Sequence, residues 1–141
     1  MVATGCIEGK VFLSNLTKGN ILGGFDVFKG SINCLSFADN YLLVAPQGDG
    51  VYWTDPNKLK TLFHSPAEAS VSAIVNVHSP NHFAIGDLEG GIHFVDRRAP
   101  KTIIAKRIAG NSIHALQSKG SLVFAACEDG YVRVFDIAKM Q

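Results

Sequence analysis

The chain has 141 residues, 47% of them hydrophobic and 18% charged, with a formal net charge of +1. That apolar content can fill a core and argues against disorder, and the near-neutral balance supplies no global field toward nucleic acid or an anionic membrane. Apolar runs such as Tyr41-Leu42-Leu43-Val44-Ala45 fall far short of the roughly 20 residues of a membrane helix, and the first residues lack the basic start and apolar stretch of a signal peptide.

Taken in order, the elements repeat. Residues 3–15 hold two β-rich runs on either side of Glu8-Gly9. An acidic residue followed by glycine between such runs predicts a hairpin turn, because glycine takes a positive φ at little cost. The same device returns at Asp49-Gly50, Glu89-Gly90 and Asp129-Gly130. It joins the runs 41–45 and 51–53, then 83–86 and 92–95, then 123–127 and 131–135. Each hairpin closes on Asn15, Asp55, Asp96 or Asp136, which lie 40, 41 and 40 residues apart. Looser runs over 21–27, 60–64 and 102–108 follow the first three hairpins. A second series, Ile32-Asn33-Cys34-Leu35, Val71-Ser72-Ala73-Ile74 and Ile113-His114-Ala115-Leu116, shares an apolar-polar-small-apolar pattern, its starts 39 and 42 residues apart.

No helical period of useful length interrupts this order. Four short strands per roughly 40 residues predict an all-β chain of β-propeller blades, each of four antiparallel strands. Blades stack face to face, so strands with both faces buried should read as nearly continuous apolar runs. Leu42-Leu43-Val44-Ala45 and Leu122-Val123-Phe124-Ala125-Ala126 have that character. The divisions are a partial blade 1–29, blades 30–69 and 70–110, and a partial blade 111–141.

Ala126-Cys127-Glu128-Asp129-Gly130-Tyr131-Val132-Arg133-Val134-Phe135-Asp136 resembles the WD-repeat signature, with Phe135 in the tryptophan place. In the other copies Ser14-Asn15, Thr54-Asp55 and Val95-Asp96 stand where the family has Trp-Asp, and the Gly-His pair that usually opens a repeat is absent. The resemblance implies a non-catalytic scaffold that presents loops to partner proteins. It also implies a turn aspartate networked with His, Ser/Thr and Trp. Only Asp129 and Asp49 match that aspartate, and weaker blades are expected for want of the other members. About three and a half blades cannot close a ring. The chain is therefore expected to be a piece of a longer propeller, the preferred reading, or to complete its ring with a second chain.

Candidate chemistry is sparse. His64, His78, His82, His93 and His114 show no zinc-finger spacing, and His78-x3-His82 sits in a Ser-Pro-Asn loop without further ligands. Cys6, Cys34 and Cys127 are odd in number and widely spaced, which suits a reducing intracellular compartment, cytoplasmic or nuclear, better than a disulfide framework. No nucleophile elbow, P-loop or dinucleotide fingerprint is present, so neither an enzyme nor a cofactor is expected. Glu8, Gly9, Asp49, Gly50, Glu89, Gly90, Asp129 and Gly130 are assigned to structural turns. Phe12, Tyr52, Trp53, Phe94 and Phe135 are assigned to packing between blades.

The stretch holding Arg97, Arg98, Lys101, Lys106 and Arg107 is basic without an acid between them. It reads as a solvated strand and loop, or as a rim patch for an acidic partner surface or a phosphate backbone. Val95-Asp96-Arg97-Arg98 also resembles the Trp-Asp-x-Arg box of WD-repeat substrate receptors of cullin-4 ubiquitin ligases. That resemblance implies contact between Arg98 and the ligase adaptor. An RNA-associated factor using the same basic stretch is the further alternative.

Overall fold

A computed structural model describes residues 1–25, 28–79, 81–99, 103–107 and 111–139, with only the backbone course given for 103–107. The chain is all-β. The helical content among the described residues is a single 3-10 turn at Ile137–Lys139. Two compact units divide it, 1–68 and 69–141.

The first unit holds two sheets. Sheet A has the order β1 (Val2–Gly5), β2 (Val11–Ser14), β3 (Ile21–Phe25), and sheet B has β4 (Ile32–Ala38), β5 (Tyr41–Pro46), β6 (Val51–Asp55), β7 (Lys60–Ser65). The second unit repeats the plan. Sheet C has β8 (Val71–Asn76), β9 (His82–Asp87), β10 (Gly91–Asp96), β11 (Ile103–Arg107), and sheet D has β12 (Ile113–Lys119), β13 (Leu122–Cys127), β14 (Val132–Asp136). Every neighbouring pair is antiparallel and consecutive in the chain.

The repeat extends to its irregularities. The first strand of sheets B, C and D breaks register against the second at Ile32/Cys34, Val71/Ala73 and Ile113/Ala115. Each break skips one polar residue: Asn33, Ser72 or His114. An extra residue bends a strand and re-aims its side chain. In sheet C the freed Ser72 Oγ donates to the carbonyl oxygens of Gly86 and Ile113, tying the sheet to its neighbour.

Within each unit the sheets pack face to face. Val11, Leu13 and Phe25 of sheet A and Phe28 meet Leu42 and Val44 of sheet B, with Ala3, Ile32, Leu35 and Tyr52 at the margin. Ala73, Ala84, Ile92 and Phe94 of sheet C meet Ile113, Leu116, Val123, Ala125 and Cys127 of sheet D. Close approach needs small residues at one place. A Cβ on Gly5 would lie 2.5 Å from Ile32 Cγ2, and one on Gly86 would lie 2.6 Å from Ile113 Cγ2. The two glycines hold the same place in their sheets.

Two expectations fail for one physical reason. Leu42, Leu43, Val44 and Ala45 are all 0% exposed, but β13 alternates, with Val123, Ala125 and Cys127 buried and Leu122, Phe124 and Ala126 only half-buried. Phe12, assigned above to packing between blades, is 40% exposed. Sheet D is covered on the face toward sheet C, and sheet A on the face toward sheet B. Among the described residues, Phe12 on the opposite face of sheet A and Val132 and Val134 on that of sheet D are exposed.

Candidate functional site

The residues that recur with the repeat lie in the turns at the two ends of each sheet. Gly9, Gly50, Gly90 and Gly130 sit in the turns between second and third strands, with φ of 81°, 72°, 82° and 83°. Their acidic neighbours differ in their bonding. Tyr52 donates to Asp49 Oδ2 at 2.6 Å, and its ring stacks on His64 at 4.2 Å. The His64 Nε2 lies 2.5 Å from the Asp49 carbonyl oxygen. The bond to the Asp49 carboxylate, with lesser desolvation, pushes the Tyr52 hydroxyl up to about 12.

Asp129 takes a two-pronged bond from Arg133 at 2.7 and 2.9 Å, which holds its carboxyl below the usual carboxylate range. Glu8 meets Lys10 at 3.4 Å on an exposed surface, where such a pair is worth little. In sheet C the anchoring carboxylate is Asp87, two residues before Glu89. Asp87 is buried, accepts from the Glu89 and Gly91 amides at 2.9 and 2.7 Å, and bonds His93 at 2.8 Å. The turns of sheets B, C and D thus each bond a carboxylate to Tyr52, His93 or Arg133 of the following strand, and of the His, Ser/Thr and Trp partners the resemblance implies only a histidine is among these three.

The opposite ends carry the turns after each third strand. Asn15 Oδ1 accepts from the Thr17 and Lys18 amides, and Asp55 Oδ1 from those of Asn57 and Lys58. Asp96 Oδ1 accepts from the Arg98 amide, and Asp136 Oδ1 from that of Ala138. A short carboxylate or amide that accepts from the backbone two residues on builds a turn of its own, an Asx turn. This is why a residue of that type recurs at these four places.

A third recurring residue escaped the reading of the sequence. Ser31, Ser70 and Ser112 stand immediately before Ile32, Val71 and Ile113, and their carbonyls accept from the amides of Gln47, Leu88 and Glu128 at 2.8, 3.0 and 2.9 Å. The signal was present, since the three serines keep the spacing of the residues that follow them.

The basic stretch is laid out along a hairpin. Arg97 and Arg98 occupy the β10–β11 turn. Arg97 grips Asn81 Oδ1 at 2.9 and 3.2 Å. Arg98, its side chain 63% exposed, folds back on Asp96 at 2.7 and 3.0 Å. Those bonds hold the Asp96 carboxyl well below the usual carboxylate range. Lys101 lies outside the described residues. Lys106 and Arg107 pair in register with Ile92 and Gly91, at the other end of β11. At about 3.3 Å per residue, that is roughly 13 Å of strand from Ile103 to Arg107. The Arg97–Arg98 turn is also stapled to the β8–β9 turn. Ser79 Oγ lies 2.8 Å from His82 Nδ1, and His82 Nε2 lies 3.3 Å from Asp96 Oδ2. This chain joins two turns at one end of sheet C.

Among the described residues no three His, Cys, Asp or Glu side chains come together as a metal site. His78 is in the β8–β9 turn with a φ of 60°, and His82 is engaged as above. Cys6, Cys34 and Cys127 are free, and burial pushes the Cys34 thiol up to about 12, away from nucleophilic chemistry at neutral pH. No helix among the described residues is long and apolar enough to cross a membrane.

Comparison with known proteins gives the fold alone. No family model and no curated protein matches the chain. Among solved structures, the computationally designed Ika4 protein superposes with a TM-score of 0.80 at 21% identity, over 96% of this chain and 84% of that one. The computationally designed Ika8 protein superposes with a TM-score of 0.82 at 20% identity, over 96% of this chain but 42% of that one. The chain therefore spans less than half the length of the second structure, and its antiparallel sheets share the fold of both.

Proposed function

We propose that the four sheets are successive blades of a WD-repeat-type β-propeller, and that the protein is a non-catalytic intracellular scaffold whose turns are presented to partner proteins. The observation that carries this reading is the Asx turn built at Asn15, Asp55, Asp96 and Asp136. The same backbone device is made four times, and the side chains that follow it differ: Thr17-Lys18, Asn57-Lys58, Arg98-Ala99 and Ala138-Lys139. Constant geometry with variable tips is what recognition by presented loops requires.

The test uses the purified chain as bait, followed by binding measurements with each identified partner in pure form. Substituting Lys18 or Lys58 by Ala should weaken at least one partner tenfold or more without changing the melting curve, and Arg98→Ala should do so with β-sheet circular dichroism and cooperative melting retained. Binding unaffected by any tip substitution would overturn the reading.

A further inference from the structure

We infer that two adjoining hairpins of the first unit bind a short acidic peptide carrying apolar side chains, a partner chemistry that rests on the reading of presented turns and deepens it. Four of the exposed leucines lie there: Leu16 and Leu22 in the β2–β3 hairpin, Leu59 and Leu62 in the β6–β7 hairpin. They are 76%, 47%, 41% and 50% exposed. The hairpins touch. A Cβ on Gly23 would lie 2.6 Å from Leu59 Cδ1, so the β6–β7 turn of sheet B rests on β3 of sheet A. Apolar side chains gathered in this way and left in water mark an interaction site.

The backbone departs from regularity at three of these leucines. Strand β3 skips Leu22 in its register with β2, between Ile21 and Gly23. Strand β7 skips Leu62 in its register with β6, between Thr61 and Phe63. An extra residue in a strand re-aims its side chain. Leu59 has a φ of 51°, in a region that bulky residues avoid. Gly19 holds the same place in sheet A, four residues after Asn15 as Leu59 is four after Asp55, with a φ of 69°. Glycine would make the turn with less strain, yet sheet B keeps a leucine whose side chain is left partly in water. Strain retained at such a position points to function.

Charge selects the occupant. The chain has no acidic residue between Glu8 and Asp26, or between Asp55 and Glu68. Lys18, Lys58 and Lys60 are exposed among the leucines. Asp55, the carboxylate of this turn, accepts from the amides of Asn57 and Lys58. A second copy would set its own lysines against these, and like charges oppose that pairing. Among the described residues no strand pairs with the outer edges of β3 and β7. An acidic peptide brings carboxylates, apolar side chains and main-chain groups to such edges, whereas a lipid surface or an RNA brings no peptide backbone.

The probe is a fluorescein-labelled peptide of leucines spaced by glutamates, read by anisotropy on the purified chain. It should bind saturably, and the same peptide with lysine in place of glutamate should bind at least tenfold more weakly. Leu59→Asn should weaken binding tenfold or more without lowering the melting temperature, because asparagine adopts the left-handed turn readily. Leu62→Ser serves as a second variant if Leu59→Asn fails to fold. Joint replacement Lys58→Glu and Lys60→Glu should also cost tenfold or more. Leu88→Ala, at an exposed leucine of the β9–β10 turn, should change nothing. Equal binding of the two peptides, binding indifferent to Leu59 and Leu62, or displacement of the peptide by phosphatidylserine vesicles or by RNA overturns the inference. A peptide that fails to bind, beside a partner that loses affinity on Arg98→Ala, overturns it and leaves the reading of presented turns standing. Partners that ignore every turn substitution, beside a peptide that binds, overturn that reading instead.

Discussion

Strands β5 and β13 occupy the same place in their sheets and carry almost the same kind of sequence, yet they end in different surroundings. Leu42, Leu43, Val44 and Ala45 are without exposure, whereas β13 is buried at every second residue and half-open between. Both runs are apolar enough to be covered on two sides. A strand's own residues set which faces it can bury, and the neighbouring sheets set which faces it does bury.

The largest expected effect separates the two strands. Leu43→Ala should cost about 2–5 kcal/mol, from lost transfer energy and a residual cavity. Val134→Ala, measured by urea melts, should stay within about 0.5 kcal/mol. Equal losses at the two sites would erase the distinction.

A smaller contrast lies in the turns. Gly50 and Gly130 have nearly the same φ, but a Cβ on Gly50 would lie 2.2 Å from the Ser65 carbonyl oxygen, and one on Gly130 meets nothing within 4 Å. Gly130→Ala should cost about 1–2 kcal/mol, the strain of a left-handed residue alone. Gly50→Ala should cost more, since backbone must also move, and the difference between the two melts measures the crowding.

The same two turns differ in their titration. Tyr52 bonds the Asp49 carboxylate, and its hydroxyl should ionise at about 12 in an ultraviolet titration. Asp49→Asn should bring it toward the ordinary value of about 10. Its folded value is raised, so its stabilisation is complete below about pH 10 and lost as pH rises toward 12. Asp129 has the opposite sign. Its carboxyl is held below the usual range by Arg133, so that contribution is present above about pH 4 and fades in acid.

The smallest effect concerns Asp96. Its folded value is also depressed, so the pair with Arg98 should weaken as pH falls below the ordinary carboxylate range. The pair is largely at the surface, and Asp96→Asn should change stability by less than about 1 kcal/mol while flattening the acid limb of the melting profile.

The strand order was readable because each turn needs a residue type that little else can replace. The positive φ at Gly9, Gly50, Gly90 and Gly130 and the acceptor at Asn15, Asp55, Asp96 and Asp136 are local demands, met within a few residues. The bonding partners were not readable. Tyr52 and Arg133 turn back three and four residues to Asp49 and Asp129. His93 reaches Asp87 across the β9–β10 hairpin, and His64 reaches the Asp49 carbonyl from β7. No spacing rule in the chain announces which side chain will do so. Asp87 outranks the Glu89 that the turn pattern singles out because it alone is buried beneath two amides. The Arg97–Arg107 stretch reads as one patch along the chain, but strand geometry carries its ends to opposite ends of a hairpin.

By itself the sequence determined an all-β chain of antiparallel hairpins on a period of about 40 residues, because turn chemistry and apolar runs are properties of neighbouring residues. Only the tertiary structure decided which sheet faces are covered, at Leu42 and Val44 by sheet A and at Val123 and Ala125 by sheet C, and that Phe12, Val132 and Val134 are exposed. Burial is a relation between surfaces distant in the chain, and an apolar run carries no record of what will lie against it.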